Sequence, residues 1–131
     1  PTYKEVTTEN AGHVEGIDIT YDTEVISHET LLKNFWLNID PFDAFGQFCD
    51  KGYSYRSVAF FRDNEQQKLI NKSKRKIEKK FNKKVVTYVI KFDKFYEAEN
   101  YHQDYYRKKF LNYLRYKNAC GRERKLNNIW N

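Results

Sequence analysis

An apolar run before the middle of the chain most limits how this sequence can fold. Residues 55 to 61 end in Val58-Ala59-Phe60-Phe61, which is apolar at consecutive positions. A strand with that pattern is buried on both faces, so it lies inside a sheet that other elements cover. Residues 13 to 21 and residues 85 to 92 alternate in polarity, which predicts one strand before the central one and one after it.

Amphipathic helices separate these strands and follow the last one. Ser27 is suited to cap the first helix, Pro41 ends it, and Asn64 starts the second. Residues 98 to about 116 predict a third helix. The order β-α-β-α-β-α favours parallel strands and right-handed crossovers in a two-layer α/β sandwich, and part of so small a sheet is expected to be missing. The buried stripes are expected at Leu31, Leu32, Phe35, Trp36 and Ile39, then at Ile70, Ser73, Ile77 and Phe81.

Length and composition limit the class of protein. The 131 residues suffice for one domain, and 40% of them are hydrophobic, which excludes a disordered polar chain. Two cysteines are too few for a disulfide framework, and no CxxC or Cys/His pattern has zinc spacing. The sequence shows no signal peptide and no run of transmembrane length, which favours a cytoplasmic protein. It begins at Pro1 without methionine, so either the initiator was removed or the chain starts inside a longer protein.

The net charge of +6 is unevenly distributed along the chain. Residues 68 to 84 hold nine Lys or Arg against Glu78 alone, and residues 107 to 125 hold eight against Glu123 alone. Such runs usually form a solvated helix face or a basic tail. Residues 117–131 are the predicted basic tail, and Trp130 within them is a candidate docking anchor. The more specific alternative is that the basic runs form a nucleic-acid-binding surface. The solvated face is favoured because the basic residues lie opposite the apolar stripe.

Two stretches hold polar groups that can carry chemistry. The loop before the central strand places Cys49, Asp50 and Tyr55 near the mouth of that strand, where a rigid element can support functional groups. Glu15 shares the parity of Ile17 in the alternating segment. If that face is buried, burial raises the pKa of Glu15 and the carboxyl can be neutral near pH 7. If Glu15 lies at an exposed strand edge, it is an ordinary carboxylate, and the pattern leaves both interpretations open.

Several motifs in one order resemble a known family. The first four are Gly12-His13-Val14-Glu15, Tyr21-Asp22, Tyr55-Arg56-Ser57 and Ala98-Glu99-Asn100-Tyr101-His102-Gln103, and Pro1-Thr2-Tyr3, Asp40-Pro41 and Ala119-Cys120-Gly121-Arg122 add to the likeness. By these motifs nearly the whole chain resembles the class A peptide methionine sulfoxide reductases (MsrA).

The resemblance implies a fold and a reaction. The fold would be a ferredoxin-like α+β two-layer sandwich of the MsrA type. These enzymes reduce the S epimer of methionine sulfoxide, free or in proteins, and so repair oxidative damage. A cysteine thiolate attacks the sulfoxide sulfur, and an acid and tyrosine hydroxyls protonate the leaving oxygen. A second cysteine then forms a disulfide with the first, and thioredoxin reduces it. No metal or organic cofactor, no membrane and no nucleic acid is implied.

The resemblance also assigns roles to residues of this chain. Each role has a plainer alternative, in which Tyr55 is strand packing, His102 is a structural histidine and Cys120 is an idle surface thiol. The implied roles are Glu15 as the acid, Tyr55 as a hydroxyl that polarises the sulfoxide oxygen, Asp50 as a holder of the substrate backbone, His102 and Tyr105 as pocket supports that can share a helix face, and Cys120 as the resolving thiol on a mobile tail.

The family's nucleophile motif, Gly-Cys-Phe-Trp, does not occur in residues 1–131, and neither does its Gly-Tyr-x-Gly-Gly motif. The resemblance therefore implies a single domain over 1–131 that is incomplete at its N-terminus. Its first strand and catalytic loop would be encoded upstream, supplied by a separate chain, or lost. Cys49 is not expected to replace the nucleophile, because the adjacent Asp50 raises the pKa of a thiol. Cys49→Ser is accordingly expected to recycle nearly normally.

Three functions compete on this evidence. The first is a peptide-methionine (S)-S-oxide reductase that is inactive as this chain alone. The second is a catalytically dead module that binds a sulfoxide or a peptide. The third is a small basic nucleic-acid-binding domain, which would show salt-sensitive binding to random single-stranded DNA. The third leaves Glu15, Asp50 and Tyr55 without a role and ranks last.

Overall fold

Two parallel strands joined by a long helix form the centre of the computed structural model, which describes residues 13–99 and 102–131. In chain order the elements are α1 (His28–Leu37), β1 (Gly46–Gln47), β2 (Asp50–Lys51), a 3-10 turn (Tyr53–Tyr55), β3 (Val58–Phe61), α2 (Asn64–Phe81), β4 (Tyr88–Lys91), α3 (Tyr105–Lys108), α4 (Phe110–Cys120) and α5 (Arg122–Trp130). The fold is mixed α/β, and no helix within the described ranges is long and apolar enough to cross a membrane.

The predicted parallel pairing is confirmed for β3 and β4. Val58 lies opposite Tyr88, and the register continues to Phe61 opposite Lys91. Just before the two strands, the hydroxyls of Ser57 and Thr87 form a buried hydrogen bond of 2.8 Å. Both strands are shorter than predicted, because the 3-10 turn occupies the start of the first segment and pairing in the second begins only after Thr87.

The two helices predicted from capping residues are confirmed. The Ser27 hydroxyl accepts a hydrogen bond from the Thr30 backbone N–H at 3.1 Å, which satisfies one free donor at the start of α1. The Asp63 carboxylate does the same for α2 through Gln66 N–H at 2.8 Å. Trp36 joins the helices by donating its indole N–H to Ser73 Oγ at 2.8 Å. The buried core comprises Leu32, Trp36, Ala59, Phe61, Ile70 and Val85.

The strand predicted over residues 13 to 21 is not formed, and this prediction is wrong. Ile17 is 84% exposed and Ile19 is 52% exposed, so their shared face is not a buried strand face. Alternation creates a strand only when a neighbouring strand satisfies the backbone groups. Here the Glu15 N–H donates to Ser54 O at 2.8 Å, and no ladder follows within the described residues.

The third helix differs from the prediction at both ends. Asp104 has a left-handed conformation (φ 53), which a right-handed helix cannot include, so α3 starts only at Tyr105. A break at Lys109 separates α3 from α4, which runs on to Cys120. His102 therefore precedes the helix, and the helix face that it was expected to share with Tyr105 does not form.

The C-terminal residues are helical and return to the core. Gly121, in a left-handed conformation (φ 61), separates α4 from α5. Trp130, the last residue of α5, packs on the ring of Phe81 with a centroid distance of 5.5 Å and donates its indole N–H to Ile39 O at 3.2 Å. Trp130 is thus a docking anchor, as its position suggested.

Candidate active site

A short hairpin carries the site loop. β1 and β2 pair antiparallel, with Gly46 opposite Lys51 and Gln47 opposite Asp50. Gly46 accepts no side chain, because a Cβ there would lie 2.1 Å from the backbone oxygen of Asp50. The Gln47 amide holds the hairpin against Asp40, since it donates to Asp40 O at 2.8 Å and accepts from Asp40 N–H at 2.9 Å. The hairpin thereby fixes the positions of its turn and of Asp50.

Two side-chain links join this hairpin to α4. The Tyr116 hydroxyl donates a hydrogen bond to Asp50 Oδ1. A disulfide joins Cys49 to Cys120, with their Cα atoms 5.6 Å apart. Tyr116 and Cys120 are four residues apart in one helix and therefore lie on the same face. Cys49 was predicted to take no part in thiol exchange, and its bond to Cys120 was not predicted.

Glu15 lies beside the hairpin although it is not in a strand. Burial raises the pKa of its carboxyl, the negative charge of Asp50 raises it further, and the charge of protonated His102 lowers it. The residue as a whole is exposed, so solvent limits the size of the shift. The sequence pattern left a buried and an exposed Glu15 both open, and a buried strand face is not the cause of the raised pKa, because Ile17 on the same parity is exposed.

Two tyrosines complete what we call the carboxyl–tyrosine cluster: Glu15, Asp50, Tyr55 and Tyr116. Tyr55 ends the 3-10 turn and is half-buried. The pKa of Tyr116 is raised by burial, then by the hydrogen bond and charge of Asp50, and then by Tyr55 and Glu15. The raised pKa keeps the Tyr116 hydroxyl protonated at neutral pH, so it can donate a hydrogen bond, as it does to Asp50.

The other two predicted site residues are placed less centrally. His102 is half-buried in the turn before α3, with Nε2 3.9 Å from Glu99 Oε2, and its charge acts on Glu15. Tyr105 is 41% exposed, and the contacts that join the described part of the cluster do not include it. The matching motif residues Pro1, Thr2, Tyr3, Gly12, Asn100 and Tyr101 lie outside the described residues.

Tyr116 is a site residue that sequence reasoning missed. It had no motif of its own, and the available signal was its spacing of one helical turn before Cys120. No three His, Cys, Asp or Glu side chains in the described ranges group closely enough to hold a metal ion. The arrangement can hold a proton on Glu15 and offer hydroxyl donors beside it.

Comparisons with known proteins identify the family. The family profile of peptide methionine sulfoxide reductase matches residues 1–131. The chain is 42% identical over 132 residues to "Peptide methionine sulfoxide reductase MsrA" of Bacillus subtilis and 43% identical to the protein of that name from Listeria innocua, covering 99% of this chain and 75% of each relative.

Solved structures agree in fold. Reduced Mxr1 from Saccharomyces cerevisiae superimposes with a TM-score of 0.75 at 32% identity, over 82% of this chain and 59% of that one. Methionine sulfoxide reductase A of Corynebacterium diphtheriae gives a TM-score of 0.72 at 23% identity, over 82% of this chain and 57% of that one, and supports the fold alone. The described chain thus spans less than two thirds of either structure, and its sequence and fold together place it in one family. The chain belongs to the peptide methionine sulfoxide reductase family.

Proposed function

We propose that this chain supplies the acid and the hydroxyl donors of a peptide-methionine (S)-S-oxide reductase. The reaction is thiol-dependent reduction of methionine sulfoxide, free or in proteins, to methionine. The observation that carries the proposal is the carboxyl–tyrosine cluster, in which Glu15 has a raised pKa beside two tyrosine hydroxyls. A carboxyl with a raised pKa keeps its proton to a higher pH than an ordinary carboxyl, and in its protonated form it can protonate a leaving oxygen.

The proposed roles are those that the family resemblance implies, and the composition of the cluster supports them. Glu15 protonates the sulfoxide oxygen, and the Tyr55 hydroxyl polarises it. Asp50, held by Tyr116, binds the backbone of the substrate through its remaining oxygen. His102 and Tyr105 support the wall of the pocket, and the half-buried position of His102 suits that role.

The attacking thiolate comes from a cysteine outside residues 1–131, because neither cysteine of this chain lies in a Gly-Cys-Phe-Trp motif. The exposed face of the sheet supports this part of the proposal. Phe60 and Ile90 are paired on one face of β3 and β4, and they are 44% and 43% exposed. Further polypeptide that covers this face and adds the first strand would complete a ferredoxin-like two-layer sandwich over a single domain.

Cys120 resolves the sulfenic acid of the nucleophile, and thioredoxin reduces the resulting disulfide in the cytoplasm. Cys120 lies at the end of α4, within the basic residues 117–131, far from the hairpin in sequence. In space, its disulfide with Cys49 holds it at the hairpin turn, next to Asp50. That bond brings a thiol of the C-terminal part to the cluster, which resolution of a sulfenic acid in the same site requires.

The test is to join residues 1–131 to a segment that carries the Gly-Cys-Phe-Trp motif of the family. We expect the fused protein to convert the S epimer of a methionine sulfoxide peptide to methionine with dithiothreitol, and to leave the R epimer unchanged. A folded fusion that binds the peptide without producing methionine would favour the catalytically dead binding module instead.

A further inference from the structure

The two sulfurs of the disulfide differ in exposure. Cys120 is 7% exposed at the last position of α4, whereas Cys49 is exposed at the turn of the β1–β2 hairpin. Seventy-one residues separate them, and the Cα atoms are 5.6 Å apart, a usual separation for a disulfide. An incoming thiol must approach one of the two sulfurs directly.

We propose that Cys49 is the sulfur that the protein reductant attacks, and that Cys49–Cys120 is the disulfide reduced in each catalytic cycle. The proposal rests on the proposed function, in which Cys120 resolves the nucleophile. Cys120 is a buried residue and Cys49 is an exposed one, so a protein thiol approaches the disulfide from the Cys49 side. Disulfides that form and break during reactions are the usual kind in a reducing compartment.

The thiol steps balance without any further reactant. The Cys49 thiolate attacks Cys120 Sγ in the disulfide between Cys120 and the nucleophile, and the nucleophile leaves as a thiolate that takes a proton. A thiolate of thioredoxin then attacks Cys49 Sγ, and Cys120 leaves as a thiolate. The second thiol of thioredoxin attacks the mixed disulfide and releases Cys49, so thioredoxin is oxidised by two electrons and both cysteines become thiols.

The surrounding charges suit this direction of attack. Asp50 lies next to Cys49 and disfavours a negative sulfur there, but Cys49 remains bonded to the reductant while Cys120 leaves. Cys120 lies between the C-terminus of α4 and the N-terminus of α5. The first helix end disfavours an anion and the second favours it, so the two helix dipoles oppose each other at the Cys120 thiolate. Arg122, two residues on, donates to Asn38 O at 2.7 Å and keeps a positive charge on this side of the disulfide.

A trapping experiment on the 131-residue chain tests the assignment without any sulfoxide. The oxidised chain is mixed with a thioredoxin whose second active-site cysteine is replaced by serine, and the adduct is mapped by peptide mass spectrometry. We expect about tenfold more adduct at Cys49 than at Cys120, because exposure limits the attack. Adduct mainly at Cys120 would overturn the proposal. So would a disulfide that survives excess wild-type thioredoxin with its reductase, because the bond would then be structural.

A matched pair of variants gives a second readout. Cys49→Ser and Cys120→Ser each leave a single thiol, and we expect iodoacetamide to alkylate Cys49 about tenfold faster than Cys120 at the same pH. Equal rates would contradict the difference in access.

In the fused enzyme, Cys49→Ser should lower turnover with thioredoxin about tenfold more than turnover with dithiothreitol, which is small enough to reach a buried disulfide. This reverses the expectation that Cys49→Ser recycles nearly normally. Absence of methionine from every fused variant would instead contradict the proposed function and leave the trapping result to stand by itself.

Discussion

At the scale of single residues, the chemistry of a side chain depends on the charges around it as much as on its residue type. The Gly-His-x-Glu motif predicted Glu15 as a candidate acid, and the structure places it beside Asp50 and His102. The predicted role of Asp50 came from a loop motif, but its partner Tyr116 lies 66 residues further along the chain. Sequence patterns report short spacings, whereas a contact of this kind depends on how α4 returns to the hairpin. The same reason explains why the partner of Cys49 was not predicted.

Tyr116→Phe tests whether the Tyr116 hydroxyl positions Asp50. The change removes the hydrogen bond to a carboxylate and keeps the ring, so we expect kcat/KM of the fused enzyme to fall roughly tenfold, mainly through KM. Steady-state kinetics with a sulfoxide peptide measures this. Tyr53→Phe is the matched control, because it removes a tyrosine hydroxyl from the 3-10 turn that follows Asp50, while Arg56 keeps its contact with the ring at 3.6 Å. An equal loss in both variants would show that Tyr116 has no specific role.

At the scale of elements, capping residues and apolar stripes predicted α1 and α2, including the first residue of α2. These signals are local, because a helix satisfies its own backbone hydrogen bonds. The strand over residues 13 to 21 failed for the opposite reason, since a strand needs a partner that alternation does not supply. β3 and β4 pair with each other, and a hydrogen bond between Ser57 and Thr87 joins the two residues that precede these strands.

Thr87→Val tests that buried link. The variant leaves the Ser57 hydroxyl buried without its partner, so we expect the free energy of unfolding to fall by about 1–3 kcal/mol. The double variant Ser57→Ala with Thr87→Val removes both hydroxyls and should recover most of the loss. Denaturant unfolding followed by circular dichroism measures both variants and the unchanged chain. A double variant less stable than Thr87→Val would contradict the explanation.

At the scale of the whole molecule, membership of the family does not by itself give residues 1–131 every group that the reaction needs. The chain covers 75% of the length of its curated relatives, and it holds the carboxyl–tyrosine cluster but no cysteine in the nucleophile motif. The family could be predicted from ordered motifs along the sequence. The prediction that β3 is buried on both faces is wrong within the described residues, where Phe60 is 44% exposed, because burial depends on polypeptide that the pattern of one strand does not describe.

The 131-residue chain alone should therefore show no meaningful turnover with dithiothreitol. Electrostatic help from Glu15 and Tyr55 cannot replace an attacking thiolate. Methionine release from an S-sulfoxide peptide, measured by chromatography, checks this against the fused protein. Robust turnover by the purified chain would show that one of its own cysteines is the nucleophile, and Cys49→Ser and Cys120→Ser would identify which.

The most direct measurement is kcat against pH for the fused enzyme and its Glu15→Gln variant. Glu15 must carry a proton to act as the acid, and its pKa is raised, so the rate should persist above the usual pKa of a carboxyl and fall as pH rises through the raised value. In Glu15→Gln we expect kcat to fall by roughly 100-fold, KM to change little, and this pH dependence to disappear. An unchanged kcat, or the same fall with pH in the variant, would contradict the claim that Glu15 is the proton donor.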